Sequence, residues 1–367
     1  MTKIGILTFH GAHNYGSVLQ SYASVHTLRK LGYQPEIINL RNRAQLDAYR
    51  IFNTGSRIYN LFRVLIYPRL ASRKRKFEHF INKVLPVSPR EYRSGAELNV
   101  DELDYDIYYT GSDQVWNPAC QDFESAYYLD FVKNRRPTVA YAPSLGKGRF
   151  DEEDKAMIAA LLPGVDHVSC REESGVRLLA ELGRKDAVQV CDPVLLLTKE
   201  EWSEFAVAPR RKKKYILAYF LNNNHGDRSQ LDALRRKTGF DVILLNDYIK
   251  DFFKPGIRMK LDVSPQEFLG LIRDAEIVYT NSFHATAFSV IFRKEFYTAI
   301  AASENVHNNN DSRKIDFLKS LGLEDRLIRN GETIGSRRAV DYGPVQPKLA
   351  GLREKSLNYL TNALRNG

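Results

Sequence analysis

The chain has 367 residues, of which 43% are hydrophobic and 27% charged, with a formal net charge of +10. That length favours two domains over one core, and the apolar content excludes a disordered chain. Three cysteines without CxxC spacing (Cys120, Cys170, Cys191) argue against a disulfide framework or a zinc site, and no apolar run approaches the roughly 20 residues that span a bilayer.

In chain order, Met1 leads directly into a strand at 3–9, with nothing resembling a signal peptide, so a cytoplasmic location is expected. A polar, glycine-bearing loop (10–16) and a helix at 17–31 follow, with Val18, Leu19, Tyr22, Val25 and Leu28 at helical spacing. Gly32 stops the helix, and 36–40 is a second strand. This βαβ order predicts a parallel α/β sheet.

The segment of about 41–97 interrupts the pattern with thirteen basic and four acidic residues, nearly the whole charge excess. Ile58, Leu61, Phe62, Leu65 and Ile66 share one helical face, in a helix expected to end at Pro68. Phe77, Phe80, Ile81 and Val84 mark a second helix ending at Pro86. The segment reads either as two helices packed on the sheet with solvated arginines outside, or as a basic amphipathic surface in peripheral contact with an anionic membrane. Nucleic acid is not expected, because no recognised binding module accompanies the charge.

The alternation resumes with strands at 105–110, 138–142, 167–170 and 188–190 and helices at 152–162 and 173–182. The charged stretch 209–214 reads as a linker. A second series follows: strands at 215–221, 241–245, 277–280 and 295–298, with helices at 228–237, 265–273, 285–292, 312–321 and 352–365. The order predicts two Rossmann-like domains facing a cleft: residues 1–208 with the basic insertion, residues 209–330, and a C-terminal tail and helix at 331–367. Ligands should lie at the carboxyl ends of the strands.

Four polar turns follow predicted strands. His10, Asn14, Tyr15 and Ser17 lie in the first, whose glycines let backbone approach a ligand and whose Asn14 and Ser17 can cap the helix. It lacks the spacing of a dinucleotide fingerprint or a P-loop. The second carries Asp113, Gln114 and Trp116. Its acid can serve proton transfer or simply form an Asx-turn. The third places Arg171 at a strand end, where a guanidinium can fork onto phosphate or carboxylate or pair with Glu172 or Glu173. The fourth, Ser282-Phe283-His284, opens a helix whose free N–H groups and dipole favour an anion, with a titratable ring beside them.

The stretch Asn14-Tyr15-Gly16-Ser17-Val18-Leu19-Gln20-Ser21-Tyr22-Ala23, then Tyr105-Asp106 and Gly111-Ser112-Asp113-Gln114-Val115-Trp116-Asn117, then Arg171-Glu172, Asp192-Pro193 and Asn281-Ser282-Phe283-His284-Ala285-Thr286, resembles the polysaccharide pyruvyl transferases from about Ile4 to Leu327. The resemblance implies a GT-B-like fold and transfer of pyruvyl from phosphoenolpyruvate to a sugar of a surface polysaccharide or its lipid-linked precursor. The product is a ketal, phosphate is released, and no cofactor or metal is required. It further implies that Arg171 and the turn holding His284 bind the donor. Where the family turn has an arginine this chain has Ser282, which removes one cation; Arg313 is the nearby candidate replacement, so Arg171, Ser282, Phe283 and Arg313 form the expected donor site. His284 and Asp113 are the available acid and base, with Asp113 also placed to stabilise positive charge at the central carbon. His10, Asn14, Tyr15, Ser17, Gln114 and Trp116 are expected on the acceptor side or in the cleft. Two other readings of the residues are a GT-B-type glycosyltransferase using a nucleotide-sugar and a non-catalytic glycan- or membrane-binding protein.

Overall fold

Near-continuous apolar runs become strands buried on both faces, as parallel sheets require. Ile4, Ile6 and Leu7 of the first strand, and every residue of Tyr215–Tyr219, are buried. The computed structural model describes residues 1–52, 57–99, 102–132, 136–146, 150–210, 213–221, 228–245, 255–300, 311–329, 332–335 and 337–365, excepting the side chains of Ile58, Tyr59 and Arg228. The linker reading at 209–214 therefore falls partly outside the described residues, at 211 and 212.

The N-terminal sheet is built from β1 (Lys3–Leu7), β2 (Gln34–Leu40), β3 (Val87–Tyr92), β4 (Ile107–Thr110), β5 (Thr138–Ala140), β6 (His167–Cys170) and β7 (Val188–Gln189). All pairings are parallel, in the order β3-β2-β1-β4-β5-β6-β7. Its helices are α1 (Tyr15–Lys30), α2 (Arg43–Ala48), α3 (Arg57–Lys83), α4 (Glu152–Leu161), α5 (Glu173–Glu181) and α6 (Lys199–Phe205). The second sheet contains β8 (Tyr215–Tyr219), β9 (Asp241–Leu244), β10 (Ile257–Met259), β11 (Ile277–Thr280), β12 (Glu295–Ile300) and β13 (Leu327–Arg329), in the parallel order β10-β9-β8-β11-β12-β13. Helices α7 (Arg228–Thr238), α8 (Pro265–Arg273), α9 (Phe283–Ile291), α10 (Ser312–Leu321) and α11 (Val345–Arg365) accompany it. In each sheet the order reverses beside the first strand, between β1 and β4 and between β8 and β11. Ligands of open α/β sheets bind outside the strand ends at such points.

The halves are packed together. Tyr15 stacks on Phe268 with ring centroids 4.4 Å apart and donates to the Val263 carbonyl at 3.1 Å. Lys76 on α3 reaches the Asp262 carbonyl and Glu267 at 2.6 and 2.7 Å. The terminal helix α11 returns to the first sheet, where Ser356 accepts from the Cys191 amide and Tyr359 donates to the Ala140 carbonyl. One apolar cluster consequently runs from Ile4 and Val18 through Trp202 to Phe268, Phe288 and Leu360.

Three differences from the sequence reading have physical causes. Pro68 does not end a helix: α3 runs through it to Lys83. The proline is exposed, as is Val64, whose carbonyl loses its partner and can bond water instead. Leu61 and Leu65 do not share the buried face of Phe62 and Ile66; they are 69% and 79% exposed. The strands β3, β10 and β13, not assigned from the sequence, are each the edge of a sheet, and β3 carries Pro89, tolerated there because an edge residue can do without its N–H. Among the described residues, no helix is long and apolar enough to cross a membrane.

Candidate active site

Two helix N-termini meet between the sheets. Asn14 caps α1 by accepting from the Gly16 amide at 2.9 Å, so the helix begins at Tyr15, earlier than its apolar spacing suggests. Ser282 caps α9 by accepting from the Ala285 amide at 3.4 Å, which places Phe283 and His284 in the first turn. The two ends are in contact: a Cβ added to Gly16 would lie 2.0 Å from His284 Nδ1. Only glycine permits this approach, which sets the imidazole directly against the opposing helix.

Asp113 follows β4 with φ of +74°, a left-handed conformation uncommon for a non-glycine residue. The surroundings hold it there. Ser17 Oγ donates to Asp113 Oδ2 at 2.5 Å, the Gln114 amide donates to Oδ1 at 2.9 Å, and the Asp113 carbonyl accepts from the Ser144 amide at 2.8 Å. Gln20, one turn further along α1, accepts from the Ser112 amide at 3.1 Å and donates to Thr8 Oγ1 at 2.7 Å. Asn14, Ser17, Asp113, Gln114 and Asn117 share with Tyr49 and Leu221 the walls of a cleft of about 720 Å³.

Arg171, at the end of β6, lies in a second and smaller space. Its side chain is buried, with the guanidinium 4.6 Å from the centre of the Phe283 ring. Nη1 donates to Asp192 Oδ2 at 2.6 Å, and Nε stands 3.9 Å from Glu172 Oε2. Burial opposes the charge, but Asp192, Glu172 and Asp113 more than offset it and hold Arg171 above the usual arginine value. Its Nε and Nη2 nevertheless have no hydrogen-bond partner among the described residues.

Arg313, from α10, lines the same cavity of about 70 Å³ with Arg171, Asp192 and Phe283. Burial and then the repulsion of Arg171 push Arg313 down to about 10. Its Nε too is buried without a hydrogen-bond partner among the described residues. Two desolvated guanidiniums with unmet donors are arranged to receive an anion. Asp316, on the same wall, is pushed up to about 6 by burial and then by Glu173 and Glu172.

Asp192 joins the parts. Wholly buried, it accepts from Arg171, from Ser112 Oγ at 3.2 Å and from the Val194 amide at 3.0 Å. His284 Nε2 stands 3.4 Å from Asp192 Oδ2, within ion-pair range but not aligned as a hydrogen bond. Although burial works to raise it, His284, Arg171 and the Val194 amide hold the Asp192 carboxyl well below the usual carboxylate range. His284 thus lies between Asp192, on the small cavity, and Gly16, whose neighbour Ser17 lines the large cleft. Asp113 and His284 are linked through Ser112 and Asp192 on one side and Gly16 and Ser17 on the other; no direct bond joins them among the described residues.

Two expected cleft residues lie elsewhere. Trp116 is wholly buried in the first domain, stacked on Tyr128 at 4.5 Å with its Nε1 donating to the Tyr127 carbonyl. His10 is also wholly buried, with its ring nitrogens against the Thr8 carbonyl (3.2 Å) and Asn39 Oδ1 (3.1 Å). Both residues support the turns rather than facing a ligand. Tyr15 sits between the halves with its hydroxyl spent on Val263, and Ser282 is committed to its cap. Asp192 and Glu172, absent from the expected site, are its buried acids; in the sequence they stand out only within the Arg171-Glu172 and Asp192-Pro193 pairs of the family resemblance.

Burial pushes the His10 imidazole down to about 4. The unfolded chain then binds a proton that the folded chain refuses between about pH 4 and 6.5, so the contribution is complete above pH 6.5 and lost as pH falls through 4. Folding stability should drop by about 3 kcal/mol from this group across that range. Urea unfolding of His10→Gln should lack that part of the slope, whereas an unchanged slope would assign the acid sensitivity to other groups.

A family model described as polysaccharide pyruvyl transferase matches residues 14–303. Among solved structures, S. aureus MnaA in a co-structure with UDP is 11% identical, with a TM-score of 0.50 over 98% of this chain and 91% of that chain. A Listeria monocytogenes protein assigned as a UDP-N-acetylglucosamine 2-epimerase is 9% identical, with a TM-score of 0.53 over 98% of this chain and 90% of its own. These likenesses show the fold, two α/β domains in the GT-B arrangement. No curated protein matches in sequence.

Proposed function

The chain belongs to the polysaccharide pyruvyl transferase family, and on that premise we propose that it transfers pyruvyl from phosphoenolpyruvate to a sugar of a surface polysaccharide or its lipid-linked precursor. The observation that carries the donor assignment is the convergence of Arg171 and Arg313 on one small cavity beside Phe283, with unmet donors on both guanidiniums. The donor is a dianion or trianion at neutral pH, carrying phosphate and carboxylate on adjacent positions. Two cations and the N-terminus of α9 match that charge. Arg313 supplies, from the next helix, the cation that Ser282 does not.

In the proposed reaction an acid protonates the methylene carbon of the donor, which becomes a methyl group. Positive charge develops at the central carbon, where one sugar hydroxyl adds. A second hydroxyl then displaces phosphate and closes the ketal. Of the two hydroxyl protons released, one balances the proton gained by the methyl group and the other leaves with phosphate. His284 and Asp113 are the groups for the acid and base steps. Asp192 orients the imidazole from one side and Gly16 from the other, while Ser17 and the Gln114 amide fix the Asp113 carboxylate. The large cleft beside Ser17 and Asp113 takes the acceptor sugar, and its size suits one or two sugar rings.

A thermal-shift titration tests the donor assignment. Phosphoenolpyruvate should raise the melting temperature, and Arg313→Gln should remove that rise. Stabilisation by a nucleoside diphosphate sugar and none by phosphoenolpyruvate would overturn the assignment in favour of glycosyl transfer.

A further inference from the structure

The charge excess and the exposed apolar residues coincide. Seven large apolar side chains are exposed among the described residues, and five of them, Phe52, Leu61, Val64, Leu65 and Tyr67, fall within one short stretch. They are not spread around α3. Phe62, Ile66 and Leu70 turn inward and pack with Leu261 of the second half, which leaves Leu61, Val64 and Leu65 on the opposite face. Phe52 stacks on Tyr67 at 5.8 Å beside them, so the patch is continuous beyond the helix. Between Arg57 and Phe77 the chain has seven basic residues and no acidic one. Arg57, Arg69, Lys74 and Arg75 are exposed, and they bracket the apolar face at both ends.

We propose that the outer face of α3 is a docking surface for an anionic lipid bilayer. Protruding leucines flanked by arginines, with no carboxylate among them, suit an interface in which apolar side chains enter the acyl boundary and cations meet the headgroups. A soluble partner protein would also cover the leucines, but a helix with seven bases and no acid between Arg57 and Phe77 favours a dense negative surface. The position has a consequence for the acceptor. Ala48 and Tyr49 belong both to the wall of the large cleft and to a groove lined by Arg50, Arg63 and Lys74 under α3. The cleft therefore opens next to the bilayer-facing helix, where a lipid-linked sugar would arrive. The surface lies outside the cleft, and its assignment stands whether or not the donor is phosphoenolpyruvate.

Vesicle flotation of the full chain tests this. Vesicles containing phosphatidylglycerol should carry the protein, pure phosphatidylcholine vesicles should carry much less, and salt should weaken the binding because charge contributes to it. The variant Leu61→Ser/Leu65→Ser, changed only at exposed positions, should keep its melting temperature and its response to phosphoenolpyruvate while losing vesicle affinity by about tenfold or more. Equal flotation with both lipids, or a double variant that floats like the parent, would overturn the proposal. So would a concentration-dependent dimer abolished by the same substitutions, because the patch would then belong to a second copy of the chain.

Discussion

Arg171→Ala will lose donor-dependent turnover and will also fold less stably, by about 3–5 kcal/mol in urea unfolding. The two effects share one cause. Arg171 is the charge partner of the buried Asp192 and stands beside buried Glu172, so its removal leaves two buried carboxylates without their nearest guanidinium. Arg313→Gln separates binding from folding. Arg313 sits near Arg171 and is disfavoured by it, so its neutralisation relieves repulsion instead of orphaning an acid. That variant should lose donor binding with little loss of stability. If Arg171→Ala retained both stability and donor response, the cavity would not be the anion site.

His284→Ala will lower kcat by about 10²–10⁴, the range expected when a positioned acid or base is removed. The imidazole is the titratable ring at the junction of the two helix ends, held between Gly16 and Asp192. The loss should fall on kcat more than on the acceptor KM, because the large cleft that takes the sugar is lined by other residues, Asn14, Ser17 and Asp113 among them. The donor thermal shift should weaken as well, since the ring belongs to the turn that receives it. Asp192→Asn should show a smaller loss of kcat with an altered pH profile, as expected for a residue that acts through the ring. A kcat within threefold of the parent in His284→Ala would remove the histidine from the chemistry.

Much of this architecture was legible because parallel strands buried on both faces must be written as apolar runs, as in Tyr215–Tyr219 and Ile277–Thr280. Helix starts were legible to within a few residues, and the caps Asn14 and Ser282 correct them by drawing Gly16 and His284 into first turns. Side-chain direction was less legible. His10 and Trp116 follow strands much as Asp113 does, yet both turn into the core, because that is decided by packing against Asn39 and Tyr128 and not by spacing. Leu61 and Leu65 share a helical period with Phe62 and Ile66, but periodicity does not say that only one side of the helix is covered. Asp192 stands out in the sequence only beside Pro193 in the family resemblance, while its role as the hub of Arg171, Ser112 and His284 depends on three segments distant in sequence. The meeting of Arg313 with Arg171 depends in the same way on how α10 returns to the cavity.

The central claim is that this cleft joins an enol phosphate to a sugar, and phosphate release tests it most directly. With phosphoenolpyruvate and an acceptor glycan bearing two suitably placed hydroxyls, the protein should release one phosphate for each ketal formed, and release should require the acceptor. Phosphate release without ketal formation, or no release with any acceptor despite a donor thermal shift, would contradict it.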